Sequence, residues 1–327
     1  MRVLVTGGSG FIGSNLVRLL RAVRPDWHVT NLDLMTYAAH PQALSDLSGD
    51  AHYHFVQGDI ADAALVMELA AEVDGILHLA AESHVDRSIQ DSAPFIRTNV
   101  EGTRVLLEAA RKHRLRFLHV STDEVYGTLG PTGLFTESTP LQPNSPYAAA
   151  KASSDLLVRA YHETFGLEAV ITRCSNNYGP YQFPEKVIPL FITRLMADGR
   201  VPLYGDGQNI RDWLHVQDHA RALLLAFEKG RSGAVYNIGA RNEWTNLALT
   251  RELLRLMGKT ETSIERVADR LGHDRRYAID PGKIEAELGW APLVPFADGL
   301  AQTVTWYRQN EDWWRPLLPQ AALSGGR

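Results

Sequence analysis

Cysteine is almost absent from this 327-residue chain: Cys174 stands alone. That excludes an internal disulfide and argues against a cysteine-based zinc site. No basic block interrupts the sequence, and 33 Lys and Arg against 38 Asp and Glu leave a formal charge of −5. A surface built to follow a nucleic-acid backbone is therefore not expected. No apolar run reaches the ~18 residues that a membrane span requires. The N-terminal MRVLVTGG has no long apolar region and no cleavage signal, so no secretory peptide is expected. Internal repeats and low-complexity tracts are also missing. These absences point to a soluble, cytoplasmic protein without metal, nucleic acid or membrane partners.

What is present is an ordinary globular balance, 45% hydrophobic and 22% charged. The length suggests two domains and is ample for a large core without cross-links. Short β-branched runs alternate with amphipathic helical stretches. Strands are predicted at Arg2–Val5, Val29–Leu32, His54–Val56, Gly75–Leu79, Phe117–Ser121 and Ala169–Arg173, with helices near 13–23 and 94–113. Repeated strand–helix–strand units predict an α/β fold with a doubly wound parallel sheet covered on both faces. After Arg173 the alternation gives way to Gly- and Pro-rich segments, a short strand at Val235–Ile238 and helices near 219–228 and 247–257. We read residues 1–173 as a dinucleotide-binding domain, joined by a strand and helix from about 212–240. Residues 174–317 form a smaller substrate-binding domain, and 318–327 a flexible tail.

Three motifs carry chemistry. Gly7-Gly8-Ser9-Gly10-Phe11-Ile12-Gly13 follows the first strand and opens the first helix. Glycines there allow a tight turn and close approach of a pyrophosphate to the helix N-terminus. Asp33, 20 residues after Gly13, ends the second strand. Its carboxylate suits a ribose 2′-hydroxyl and repels a 2′-phosphate, so NAD is expected rather than NADP. Asp59 and Ile60, after the third strand, are candidates to bracket the adenine. Next, Ser145-Pro146 caps a helix on which Tyr147 and Lys151 share one face. A lysine beside the phenol, with the positive nicotinamide ring, is expected to lower the tyrosine pKa toward neutrality and make it a base. Finally, Thr122-Asp123-Glu124 ends the fifth strand, where ligands of such sheets bind. Two neighbouring acids in unlike environments can divide general-acid and general-base work.

With these motifs the chain resembles the extended short-chain dehydrogenase/reductases, and within them the nucleotide-sugar 4,6-dehydratases. The matching pieces are Gly7–Gly13, Ala80 to Asp86, Ser121 to Gly127, Tyr147 to Lys151, Asn176 to Pro180, Arg211 to Trp213 and Gly272 to Tyr277. The Thr-Asp-Glu triplet is the specific one. The resemblance implies a Rossmann-type sheet with a smaller C-terminal domain, NAD as cofactor and a homodimer through the helices near 94–113 and 147–165. It also implies dehydration of dTDP-glucose to dTDP-4-keto-6-deoxyglucose.

The roles it implies are Tyr147 as base for the C4 hydroxyl, Lys151 on the nicotinamide ribose, and Thr122 bonded to the C4 oxygen. Glu124 becomes the C5 base and Asp123 the acid for the departing C6 oxygen. Cofactor contacts extend to Ala80, Ala81, Thr98 and Asn177. Substrate contacts fall on Ser83, Asn176, Lys186, Val187, Pro202, Tyr204, Arg211, Asn246, Arg270 and His273, with Arg211 and Arg270 suited to a diphosphate. His84 reads as a structural histidine, Cys174 as a small buried residue, and Trp313 and Trp314 as packing for the C-terminal segment. Leu271 stands where the family usually has proline, and the chain stops earlier than longer members. Readings that share these features are a nucleotide-sugar 4-epimerase, a 4,6-dehydratase for another nucleotide hexose, and a non-catalytic NAD-binding protein.

Overall fold

The computed structural model describes residues 1–40, 42–269 and 272–318. Its strands are β1 (Arg2–Thr6), β2 (His28–Asp33), β3 (Tyr53–Gln57), β4 (Gly75–His78), β5 (Arg116–Thr122), β6 (Ala169–Cys174), β7 (Asn176–Tyr178), β8 (Val201–Tyr204), β9 (Ile210–His215), β10 (Val235–Ile238), β11 (Glu243–Thr245) and β12 (Ile264–Val267). Seven of them form one sheet in the order β10-β6-β5-β4-β1-β2-β3, and every pairing in it is parallel. This is the doubly wound arrangement expected from the sequence, with its order reversing between β1 and β4.

Period-two burial explains why the sheet needs helices on both sides. Val3 and Val5 enter one core with Leu16, Leu20, Leu223 and Phe227. Leu4, between them, enters the opposite core with Leu106, Ala110 and Val158. The helix Phe11–Val23 and the helix Val216–Lys229 cover the first face, and Thr103–His113 and Pro146–Phe165 the second. The long helix predicted near 94–113 is present, but it runs from Ala93–Phe95 through a wide π turn at Ile96–Gly102 before becoming regular. That turn holds Asn99, whose side chain accepts from the Glu82 amide and donates to the Glu82 carbonyl, both at 2.9 Å. The loop after β4 is pinned by this pair.

The C-terminal half is interleaved rather than separate. The strand that returns to the large sheet is β10, preceded by the helix Val216–Lys229, whereas β9 pairs with β7 and β11 in a small sheet. Ile284 and Trp290, read from sequence with the second domain, also pack into the first core. A further core gathers Tyr178, Phe191, Trp213, Leu253, Leu300, Tyr307, Trp313 and Trp314. The Trp314 indole donates to the Tyr307 carbonyl at 2.7 Å, which accounts for the packing role expected of it. Of the expected tail, only Leu318 lies within the described residues. No helix among the described residues is long and apolar enough to cross a membrane.

Asp212 joins the two sheets. It is 1% exposed, and its oxygens accept from the Ala240 amide at 3.0 Å and the Asn242 amide at 2.6 Å, just beyond β10. Asp212→Ala would leave two partly buried backbone donors without this acceptor. We expect a loss of about 2–4 kcal/mol, read as a lower urea midpoint at unchanged slope. A midpoint equal to that of the parent would show that Asp212 does not carry this junction.

Candidate active site

The C-terminal strand ends open into one cavity of about 330 Å³ at the point where the sheet order reverses. Every residue assigned to the dinucleotide from sequence lines it: Gly7, Gly10, Phe11, Ile12, Gly13, Asp33, Asp59, Ile60, Ala80, Ala81, Thr98, Tyr147, Lys151 and Asn177. Thr122, Asp123 and Glu124 face it too.

The glycine turn is shaped by close approach. Gly7 has φ +72°, and a Cβ there would lie 2.7 Å from the Ala80 backbone. A Cβ on Gly13 would lie 2.1 Å from the Gly7 carbonyl oxygen. No described side chain caps the helix that starts at Phe11, so its first amides are directed at the cavity. Asp33 is buried, and its two oxygens accept from the Ser9 amide at 2.9 Å and the Met35 amide at 2.8 Å. Burial still raises its pKa above the usual carboxylate value. A cradle that any Cβ would fill, beside a buried acid at the end of β2, fits the pyrophosphate and ribose of a dinucleotide. Asp59 lines the same cavity but is ion-paired to Arg97 at 2.6 Å.

At the other end of the cavity, Ser145 caps the helix Pro146–Phe165 by accepting from the Ala148 amide at 3.1 Å. That helix brings Tyr147 and Lys151 against β5, where the Lys151 ammonium donates to the Val120 carbonyl at 2.8 Å. Burial lowers the Lys151 pKa to about 8, against the favourable charge of Asp155. The expectation for Tyr147 joined Lys151 to the positive nicotinamide ring, and the protein's own groups taken by themselves act in the opposite direction. Its phenol is pushed well above its ordinary value, by burial first and then by the charge of Glu124. Lys151 is engaged with backbone, so the protein's own groups hold Tyr147 protonated. The two acids differ as expected. Asp123 is 3% exposed, and burial together with Glu124 pushes its carboxyl well above the ordinary range. Glu124 is half-buried, and its amide donates to the Thr122 hydroxyl at 3.2 Å.

The expected substrate residues divide into two groups. Ser83, Asn176 and Lys186 line the main cavity, and the Lys186 ammonium donates to the Ser83 carbonyl at 3.3 Å. Val187 follows as the first residue of the helix Val187–Met196. The rest gather outside that cavity's lining, around residues 269 and 272–274. The Tyr204 and His273 rings meet edge to face, and His273 bonds Asp269 at 2.6 Å. Arg211 is buried and donates to the Asp274 carbonyl at 2.9 Å, with its guanidinium over the Tyr277 ring. Asn246 joins through its amide to the Asn209 carbonyl at 2.9 Å, and Pro202 pairs in register with Glu265 on β12. Arg270 and Leu271 lie outside the described residues. His84 is structural, capping the helix Val85–Gln90. Cys174 is buried at the end of β6 and its thiol is pushed up to about 12.

Sequence reasoning missed Glu185, whose side chain is 2% exposed and lines the cavity, where the Tyr37 hydroxyl donates to it at 3.3 Å. Its only sequence signal is adjacency to Lys186.

The sequence matches the family described as GDP-mannose 4,6 dehydratase over residues 4–303. A dTDP-glucose 4,6-dehydratase of Actinoplanes sp. is 55% identical, covering 96% of this chain and 100% of the relative. Among solved structures, a dTDP-glucose 4,6-dehydratase of Streptomyces venezuelae with NAD and TYD bound is 55% identical. It superimposes with a TM-score of 0.95, over 97% of this chain and 100% of that one. A dTDP-glucose 4,6-dehydratase of Bacillus anthracis in complex with NAD is 47% identical, with a TM-score of 0.92 over 97% and 99%.

Asp33→Asn keeps the size of the side chain and removes its charge. The preference for NAD over NADP, measured as the ratio of dissociation constants, should fall by about tenfold, because a like charge no longer faces the 2′-phosphate. An unchanged ratio would remove Asp33 as the selecting group.

Proposed function

Because the chain belongs to the GDP-mannose 4,6 dehydratase family of nucleotide-sugar enzymes, we propose that it is an NAD-dependent hydro-lyase that converts dTDP-glucose to dTDP-4-keto-6-deoxyglucose. The observation that carries the reading is the pair of adjacent acids in unlike settings, Asp123 buried and Glu124 half-buried, beside Tyr147 in one cavity. A 4-epimerase has no use for such a pair.

The roles follow from where each group sits. Tyr147 takes the proton of the C4 hydroxyl, and Thr122 bonds the same oxygen. Lys151 holds the nicotinamide ribose while anchored to β5 through Val120. When bound, held by the glycine turn, Asp33 and Lys151, an oxidised dinucleotide would supply hydride transfer and a positive charge that eases loss of the Tyr147 proton. A C5 proton becomes acidic only beside the C4 ketone, and Glu124 then removes it. Asp123, whose carboxyl burial and the neighbouring Glu124 push toward the protonated form, gives its proton to the departing C6 oxygen. Glu124 finally reprotonates C5. Ser83, Asn176 and Lys186 border the sugar. Val187, Pro202, Tyr204, Arg211, Asn246 and His273 serve the nucleotide and diphosphate, with Arg211 holding the Asp274 segment in place.

We further propose a homodimer. The two helices named for it leave Ile96, Leu156 and Phe165 each more than half exposed. Sedimentation at micromolar concentration should give twice the 36.3 kDa chain mass; a monomer alone would contradict this. We place the reaction in the cytoplasm, with the nucleotide sugars and NAD it consumes.

Glu124→Gln tests the mechanism. Oxidation at C4 does not need Glu124, but elimination does, and loss of a general base costs about 10²–10⁴-fold. Reduced dinucleotide should accumulate on the variant, visible by absorbance, with little product released. The parent enzyme in D₂O should place deuterium at C5. Turnover by Glu124→Gln at the parental rate, or product without deuterium, would overturn the assignment.

A further inference from the structure

The loop after β4 borders the main cavity with five successive residues, Leu79 to Ser83. It is tied from behind by groups that do not reach the cavity. Thr6 at the end of β1, His78 at the end of β4, Asn99 in the π turn and Thr103 after it are all buried, and none of them lines that space. The Ala80 amide donates to the Thr6 hydroxyl at 3.3 Å. That hydroxyl lies 2.8 Å from His78 Nδ1, and His78 Nε2 lies 3.0 Å from the Thr103 hydroxyl. The Thr103 hydroxyl donates to the Asn99 carbonyl at 2.6 Å, and the Asn99 side chain makes its two bonds to the Glu82 backbone. One chain of bonds therefore runs behind the loop, from Ala80 at one end to Glu82 near the other.

The direction of each bond follows from the protons available. Thr103 has one hydroxyl proton, and the Asn99 carbonyl, which can only accept, takes it. Thr103 therefore accepts from His78 Nε2. Burial lowers the His78 pKa well below its ordinary value, so the ring carries a single proton, and that proton is on Nε2. Nδ1 is left as an acceptor, and the Thr6 hydroxyl donates to it. With its proton committed there, the Thr6 oxygen turns a lone pair to the Ala80 amide. Donation runs one way, from Ala80 through Thr6, His78 and Thr103 to Asn99, and the imidazole is the link between β1 and the helix layer. Ala80 also meets the glycine turn directly. A Cβ on Gly7 would lie 2.7 Å from the Ala80 backbone, so the two loops pack backbone to backbone and a shift in one displaces the other.

We propose that His78 is a positioning residue for the dinucleotide: by joining Thr6 to Thr103 it fixes Ala80 and Glu82 together, and so holds the loop after β4 against the glycine turn in the shape that binds the cofactor. His78 itself touches neither cofactor nor substrate. The proposal rests on the cavity being a dinucleotide site and not on the dehydratase reading.

Two substitutions break the chain while nearly keeping shape. Thr6→Val removes the hydroxyl, and His78→Phe keeps a ring at a position already packed against Phe117 and His119. Two readouts are taken on the full-length folded protein: the NAD dissociation constant without sugar, and amide hydrogen exchange at residues 80–83 without added dinucleotide. Both variants should weaken NAD about tenfold, the scale of one buried hydrogen bond. Exchange at 80–83 should quicken by a similar factor while the β5 amides stay as protected as in the parent. His78→Asn separates bonding from packing. Its amide oxygen can accept from Thr6 in place of Nδ1, but it fills the ring's space less well, so it should bind NAD more tightly than His78→Phe.

A residue that only stabilised the sheet would lower the urea midpoint and leave the NAD constant of the folded protein and the local exchange unmoved. That result, or tighter NAD binding by His78→Phe than by His78→Asn, would overturn the proposal. Thr6→Val decides the case alone if a His78 variant does not fold. The failures are distinguishable: a parent that binds no NAD removes the dinucleotide reading, whereas NAD bound equally by parent and variants removes the role of His78.

Discussion

A parallel sheet buried on both faces constrains everything else in this protein. Its strands alternate between two helix layers, Val3 and Val5 to one and Leu4 to the other. Polar groups that are to meet a ligand therefore gather at the strand ends. The order reverses between β1 and β4, and the loops on either side diverge to leave a cavity. Gly7, Asp33, Ala80, Thr122 and Asn177 come from five different strand ends, yet they share that one space.

Within the cavity, low dielectric gives neighbouring groups unlike characters. Asp123 and Glu124 are adjacent in sequence, but one is sealed and the other half-open. Their mutual repulsion adds to burial in favouring the protonated form of Asp123. The same two causes hold Tyr147 in its phenol form. Tyr147, proposed as the base, is therefore not a base by virtue of the protein's own groups alone. Its deprotonation is coupled to the positive charge that binds beside it, which ties proton removal to the presence of an oxidised dinucleotide.

The rear of the catalytic helix is as charged as its front. Asp155 and Arg173 form a buried ion pair that is hydrogen-bonded on through Tyr126 and Asn237 to the edge of the sheet. A buried pair contributes little net stability by comparison with apolar packing.

Much of this was legible in the order of residues. Short-range signals carried it: the glycine turn before a helix, Asp33 at a strand end, Ser145-Pro146 as a cap, and Tyr147 and Lys151 at i and i+4. Each depends on neighbours within a few residues, so spacing alone reports it, and the strand predictions matched the sheet to within a residue or two. The resemblance added the separate roles of Thr122, Asp123 and Glu124, and the reaction. Tertiary structure alone decided the rest. That β9 leaves the large sheet while β10 and residues 284 and 290 rejoin the first core depends on contacts between distant segments. That Arg211 is buried against Asp274 rather than lining the main cavity depends on how β9 meets the 272–277 segment. The protonation of Tyr147 and Asp123 was decided there too, because a pKa follows from how deeply a group is buried and which charges face it, and neither is written in spacing.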